Sequence, residues 1–185
     1  FSDPEADAVR HVVERRCMVC HACYDAPCQL VLSSRDGLAR GANKHPVYNA
    51  ARLLAAAPTR LGIDAQTPEQ WRALGFFPVA ANASDGSASP LLAMLALGAA
   101  HSFAPDQPLP ADFPLDRDRA LSCPRADELP AYATRHPAGG MPYGMARLRD
   151  DEYRIISEWA ASDAPTRPPP PLPSDLAAEI ADWER

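Results

Sequence analysis

The sequence predicts a mainly α-helical fold with long proline-rich loops. Three observations carry this expectation. Apolar residues recur at helical spacing behind recognisable start signals, no segment shows the clean alternation of a strand, and 21 of the 185 residues are proline. That proline content is more than twice the ordinary share of about 5%, so many connections must be stiff and extended. With aromatics at only 7%, the core is modest, and a large prosthetic group would help to fill it.

The first helix starts at Ser2, with Pro4 in its first turn and Glu5 completing a Ser-x-x-Glu box. Val9, Val12 and Val13 form one stripe and deliver the chain to Cys17. From Tyr24 to about Pro46 the stretch is rich in loop residues, among them Gly37, Gly41 and Asn43. Residues 47–57 read as a short helix stopped by Pro58. Thr67, Pro68 and Gln70 open another helix, which Gly75 ends. Ser89 and Pro90 repeat the start signal for a helix over 90–98, and residues 104–116 are expected to run extended over the surface. Residues 125–136 suggest a short helix broken near Pro130, with a stronger one over 149–162. Asp150 or Asp151 is its expected cap, with Ile155, Ile156 and Trp159 on one face.

The organisation expected is a domain over residues 1–164, a polyproline linker over 165–173 and the start of a helical segment over 174–185. The chain begins at Phe1 without a Met and ends in the middle of a helical pattern. The expectation is therefore a removed upstream segment, consistent with a secretory signal, and a missing C-terminal part of the same protein. The net charge of −6 and the lack of any basic cluster argue against a nucleic-acid partner. The longest apolar run, residues 89–103, is too short to span a bilayer and suits a buried helix. No Ser-His-Asp set, phosphate loop or dinucleotide fingerprint is visible.

The chemistry concentrates in ERRCMVCHACYDAPCQL, residues 14–30. Cys17, Cys20 and His21 spell C-x-x-C-H, the signature of c-type haem attachment. Two thiols on one helical turn can form thioethers to the vinyl groups of a porphyrin, and the adjacent imidazole is then held under the iron. Cys17, Cys20 and Cys23 also spell C-x-x-C-x-x-C, so an iron–sulfur cluster completed by Cys28 or Cys123 is a second reading, and zinc a third. The plainest reading makes these cysteines disulfide partners or buried apolar residues. His21 directly after Cys20 favours haem, because neither a cluster nor zinc has a use for it there.

Haem iron has a sixth position, which Met often fills. Met141 and Met145 lie in a Gly/Pro-rich loop just before the strongest helix. Met141 is the expected ligand, since Gly139, Gly140 and Pro142 fix its backbone and leave room for a ring. Met145 and Met94 are expected to fill the core. Arg60 and Arg40 are the candidates for pairing with haem propionates, while Lys44, Arg52 and Arg72 are expected on the solvated surface. Trp71, Trp159 and Tyr143 are expected in the core or against the ring, and His11, His45, His101 and His136 at the surface or in caps.

Four stretches, CMVCHACYDAPCQLVLSS, GLARGANKHPVYNAARL, PTRLGIDAQTPEQWRALGFFPV and CPRADELPAYATRHPAGGMPYGM, resemble the N-terminal part of fatty acid cis/trans isomerases. The resemblance implies a periplasmic enzyme of Gram-negative bacteria that carries one c-type haem. It would convert cis-unsaturated acyl chains of membrane phospholipids, or free unsaturated fatty acids, to trans without ATP or a diffusible reductant. The family motif falls on Cys17, Cys20 and His21, and its Met-Pro loop on Met141. Family enzymes are several times longer than this chain. The implied chemistry has oxidised iron on His21 draw electron density from the alkene until it can rotate. A firmly bound Met141 would oppose direct access, so CO binding becomes an informative measurement.

The expected architecture is thus a cytochrome c-like domain. A mono-haem electron-transfer cytochrome, or the haem subunit of a larger complex, is the alternative. Of the remaining cysteines, Cys28–Cys123 would tie the loop to the distal segment and Cys23–Cys28 would close a small loop. The first is preferred, and one thiol is left over in either case.

Overall fold

The computed structural model describes residues 4–23, 26–45, 47, 59–80, 89–114 and 123–162. Among these residues the regular structure is helical, with only two isolated bridges, Ala42 with Phe77 and Leu61 with Ala65. The expected Ser2 cap, the body of the helix expected over 47–57, the polyproline spacer and the segment after it lie outside the described residues.

Helix α1 (Pro4–Arg16) runs almost directly into a single turn, α2 (Met18–His21). Helix α3 (Arg35–Arg40) stands where the sequence suggested loop. Ser34 caps it by accepting from the Gly37 amide at 3.0 Å, and Asp36 sits favourably in its first turn. Gly37 is required by contact rather than flexibility, since a Cβ there would stand 2.3 Å from the Val31 carbonyl oxygen. Local breaker chemistry was therefore misread as loop, because the packing that excuses this glycine is not visible locally.

Helix α4 (Pro68–Ala73) carries the predicted capping box, with Thr67 and Gln70 bonding each other's backbone amides. Helix α5 (Pro90–Ala100) begins at the Ser89 cap as expected and runs two residues past the predicted end at 98. Pro130 does not break a helix. It lies in the first turn of α6 (Leu129–Arg135), where its missing amide has no partner to lose, after a 3-10 turn over Ala126–Glu128.

Helix α7 (Asp150–Ala161) is not capped by either aspartate. The Glu152 carboxylate instead accepts from the Arg149 backbone amide at 2.9 Å, while Asp150 and Asp151 pair with Arg147 and Arg149. Helix α7 lies against α1. Val9 and Val12 meet Leu95, Leu148 and Ile156 in one core, with Met141 and Trp159 at its margin. A second core gathers Cys28, Leu30, Leu38, Ala42, Phe77, Val79 and Ala80, and Leu91 and Trp159 touch both. A third, smaller cluster joins Trp71, Phe76 and Ala65. The C-x-x-C-H turn lies against α1 and against the 3-10 turn over Pro27–Gln29.

Candidate functional site

The C-x-x-C-H residues continue the helical path of α1. The Cys17 amide bonds the Val13 carbonyl at 2.9 Å, and the His21 amide bonds the Cys17 carbonyl at 3.0 Å. Cys17 is half-buried and Cys20 exposed, both as free thiols on one turn. Burial pushes the Cys17 thiol up to about 11, against a smaller opposing pull from Arg16.

His21 is only 7% exposed. Its Nδ1 lies 3.1 Å from the Leu30 carbonyl oxygen, which can only accept, so Nδ1 carries the proton. That leaves Nε2 with its lone pair, the state in which imidazole binds a metal. Burial pushes the His21 pKa down, and the Leu30 bond opposes this. A second bond, from the Leu32 amide to the His21 carbonyl at 2.8 Å, holds the two segments side by side.

The carbonyl that orients His21 comes from an unusual piece of chain. Cys28 and Gln29 are consecutive residues with φ of 59° and 52°, in the left-handed region that costs a non-glycine residue on the order of 1 kcal/mol or more. Three attachments hold them there. Cys28 forms a disulfide with Cys123. The Gln29 side chain donates to the His45 carbonyl at 2.8 Å and accepts from the Thr59 hydroxyl at 2.9 Å. The Gln29 carbonyl accepts from Arg40 Nη2.

Arg40 is 1% exposed and stacks under Trp71 and Phe76, 5.6 and 5.0 Å from their ring centroids. Besides Gln29 it donates to Thr59 Oγ1 at 2.9 Å, while its Nε has no hydrogen-bond partner. Desolvation lowers its pKa to about 10, and no carboxylate pairs with it among the described residues. Arg60, the other arginine singled out from the sequence, is exposed and held by Asp64 at 2.7 Å. Both line a cavity of about 480 Å³ that also touches Ala22, Cys23 and Val31, next to His21 and Leu30 in the chain.

Met141 is half-buried at the edge of the α1–α7 core, its amide bonded to the Met94 carbonyl at 2.8 Å. Met94 is buried, as the sequence suggested. Met145 is not in the core. It is 42% exposed and directly follows Gly144, whose φ is 67°. The loop that carries both is joined to the motif through Arg16, whose Nη2 donates to the Ala146 and Arg147 carbonyls at 2.8 Å each. Arg16 Nε lies 3.7 Å from the buried Glu152 carboxylate. Met141 packs against the Val9 and Val12 face of α1, and the turn that carries His21 lies against the same helix.

A family model described as fatty acid cis/trans isomerase matches residues 56–185, more than two thirds of the chain. The chain belongs to the fatty acid cis/trans isomerase family. No curated protein and no solved structure matches it. Membership in the isomerase family implies an enzyme that acts on fatty acyl chains. Arg60, Cys123, Met141 and Met145 fall inside the matched stretch, whereas Cys17, Cys20, His21, Cys28 and Arg40 precede it.

In this isomerase-family chain the iron–sulfur and zinc readings find no converging donors. Among the described residues no three His, Cys, Asp or Glu side chains are grouped to hold an ion, and Cys28 is committed to Cys123. Sequence reading missed Gln29, Thr59 and Arg16. Arg16 sits directly before Cys17, a position that could have drawn attention. Nothing in the sequence marks Gln29, whose role exists only because distant segments meet it.

Proposed function

We propose that this chain is the haem c domain of a periplasmic fatty acid cis/trans isomerase, with a cytochrome c-like arrangement. Cys17 and Cys20 would hold the porphyrin through thioethers, His21 would ligate iron through Nε2, and Met141 would be a second iron ligand. The observation that carries this reading is the buried His21 ring with its Nδ1 bonded to the Leu30 carbonyl. A histidine serving only as core packing has no need of a fixed tautomer directly after one free thiol and four residues after another.

The donor set fits such a group. Both thiols and the imidazole come from one helical turn, α1 lies against α7, and the Met-bearing loop precedes α7. Thioether attachment takes place outside the cytoplasm, where the Cys28–Cys123 disulfide also persists.

When bound, the haem supplies an electrophilic iron that can withdraw electron density from a cis double bond and lower its barrier to rotation. The chain's own contribution is positional. Leu30 fixes the imidazole plane, burial excludes water from the ring, and Arg16 ties the Met loop to the attachment turn. A tightly bound Met141 would oppose direct access of the double bond, and a loosely bound one would permit it. The substrates expected are cis-unsaturated acyl chains of phospholipids or free unsaturated fatty acids.

A mass measurement on the chain, produced with haem-attachment machinery, tests the first step. A polypeptide heavier by one porphyrin is expected, and the bare mass would overturn the reading. Incubation with cis-unsaturated lipid and no electron donor should then yield trans chains. Rapid CO binding would exclude a tight Met141 ligand. Trans product absent here but formed by a longer form of the protein would place the site at an interface with the remainder.

A further inference from the structure

A guanidinium withdrawn from water needs compensation, and Arg40 has it only in part. Among the described residues its partners are the Gln29 and Thr59 carbonyls, the Thr59 hydroxyl and two aromatic faces, all neutral, and its Nε lacks a hydrogen-bond acceptor. Burying such a charge without a counter-ion is costly, and cation–π contacts cover only part of that cost. The deficit sits at a cavity, not in solid core. The cavity of about 480 Å³ is within the roughly 300–1,000 Å³ usual for small-molecule sites, and Ala22, Val31 and Leu61 give it apolar walls. Arg60, which also lines it, is already paired with Asp64.

We propose that Arg40 is a carboxylate receptor: the cavity lined by Ala22, Val31 and Arg40 takes a ligand whose carboxylate is received by the Arg40 guanidinium and whose hydrocarbon lies along Val31 and Leu61. Two sources share this chemistry, the head of a free fatty acid and a propionate of a porphyrin on the neighbouring turn. The fatty acid source rests on the family's substrate class, and the propionate source rests on the haem reading above.

The test uses the whole chain as purified. Calorimetric titration compares a cis-monounsaturated fatty acid, below its aggregation concentration, with its methyl ester. A buried charge-assisted pair should make the acid bind on the order of ten-fold more tightly than the ester. Arg40→Gln should abolish that preference, Arg40→Lys should keep part of it, and Leu61→Trp should weaken acid and ester alike by filling the cavity.

If acid and ester bind alike, the second source is read from the reduction potential between pH 5 and 8. A pH dependence shifted by Arg40→Gln assigns the carboxylate to a propionate. Equal binding with an unshifted potential overturns the proposal. Should Arg40→Gln fail to fold, the acid-over-ester preference of the native chain in thermal stabilisation, together with its reduction in Arg40→Lys, decides the matter. A chain that carries no porphyrin yet still prefers the acid removes the haem reading and leaves this one standing.

Discussion

Gly98 and Met141 meet backbone to backbone: a Cβ added to Gly98 of α5 would stand 2.1 Å from the Met141 carbonyl oxygen. Gly140 makes the reciprocal contact, its own Cβ position lying 2.0 Å from the Gly98 amide nitrogen. Gly98→Ala should therefore destabilise the fold by about 1–3 kcal/mol, although alanine in an exposed helix position is worth up to about 1 kcal/mol over glycine. Amide exchange at Met141 should speed up with the loss of its bond to Met94. An unchanged melting temperature and unchanged exchange would show that the loop does not depend on this contact.

The Cys28–Cys123 disulfide closes a loop of sequence separation 95. Removing it by Cys28→Ser should cost about 2–5 kcal/mol, measured by denaturant unfolding. The double replacement of Cys28 and Cys123 should cost about the same as either single one, because the two act as a unit.

Cys17 should be the slower of the two motif thiols to alkylate before any attachment. Burial holds its pKa near 11, above the ordinary 9.0, so at pH 8 its thiolate is scarcer than that of an unperturbed thiol by on the order of a hundredfold. Iodoacetamide labelling followed by peptide mass mapping should find Cys20 modified well before Cys17. The folded chain keeps a proton that the unfolded chain loses between about pH 9 and 11, so stability should fall as pH rises through that window. Equal labelling rates would contradict the burial of Cys17.

Lys44 and Glu128 form an ion pair between the segment after α3 and the turn before α6. Glu128 also accepts from the Arg125 amide at 2.9 Å, and with Lys44 as the larger cause its pKa lies below the ordinary carboxylate range. A depressed carboxylate contributes stability above its ordinary pKa of 4.5 and loses it as pH falls through the folded value. Both side chains are about 40% exposed, so Glu128→Gln should cost less than about 1 kcal/mol at pH 7. The difference from the native chain should shrink in urea titrations as pH falls below 4.5, and a constant difference across pH would assign the loss to packing instead.

The parts legible in the sequence are those with local causes. Thr67, Gln70 and Ser89 announce their helices because capping is a matter of residues three apart, and Val9, Val12 and Ile156 announce a core because helical spacing places them on one face. The haem-type signature at Cys17, Cys20 and His21 is local in the same way. What escaped depends on contacts far apart in the chain. Helix α3 survives its internal glycine only because Val31 leaves no room for a Cβ. Glu152 displaces the two aspartates as cap because its carboxylate is buried beside Arg16 and accepts from the Arg149 amide. Met145 looked like core filler but is exposed. In the sequence Arg40 stands level with Arg60 as a candidate, and the aromatic pair around it and the lack of an acid among the described residues set it apart.

The three residues from Cys28 to Leu30 form a short lever with a fixed pivot at each position: a covalent tie to Cys123, a grip by Arg40 on the Gln29 carbonyl, and the Leu30 oxygen pressing on the His21 ring. A reductant that cuts the first tie, or a ligand that draws Arg40 away from the second, would slacken the third. Thiol status at position 28 and occupancy beside Arg40 should therefore both be audible at the imidazole, as a change in ring orientation that histidine NMR can hear.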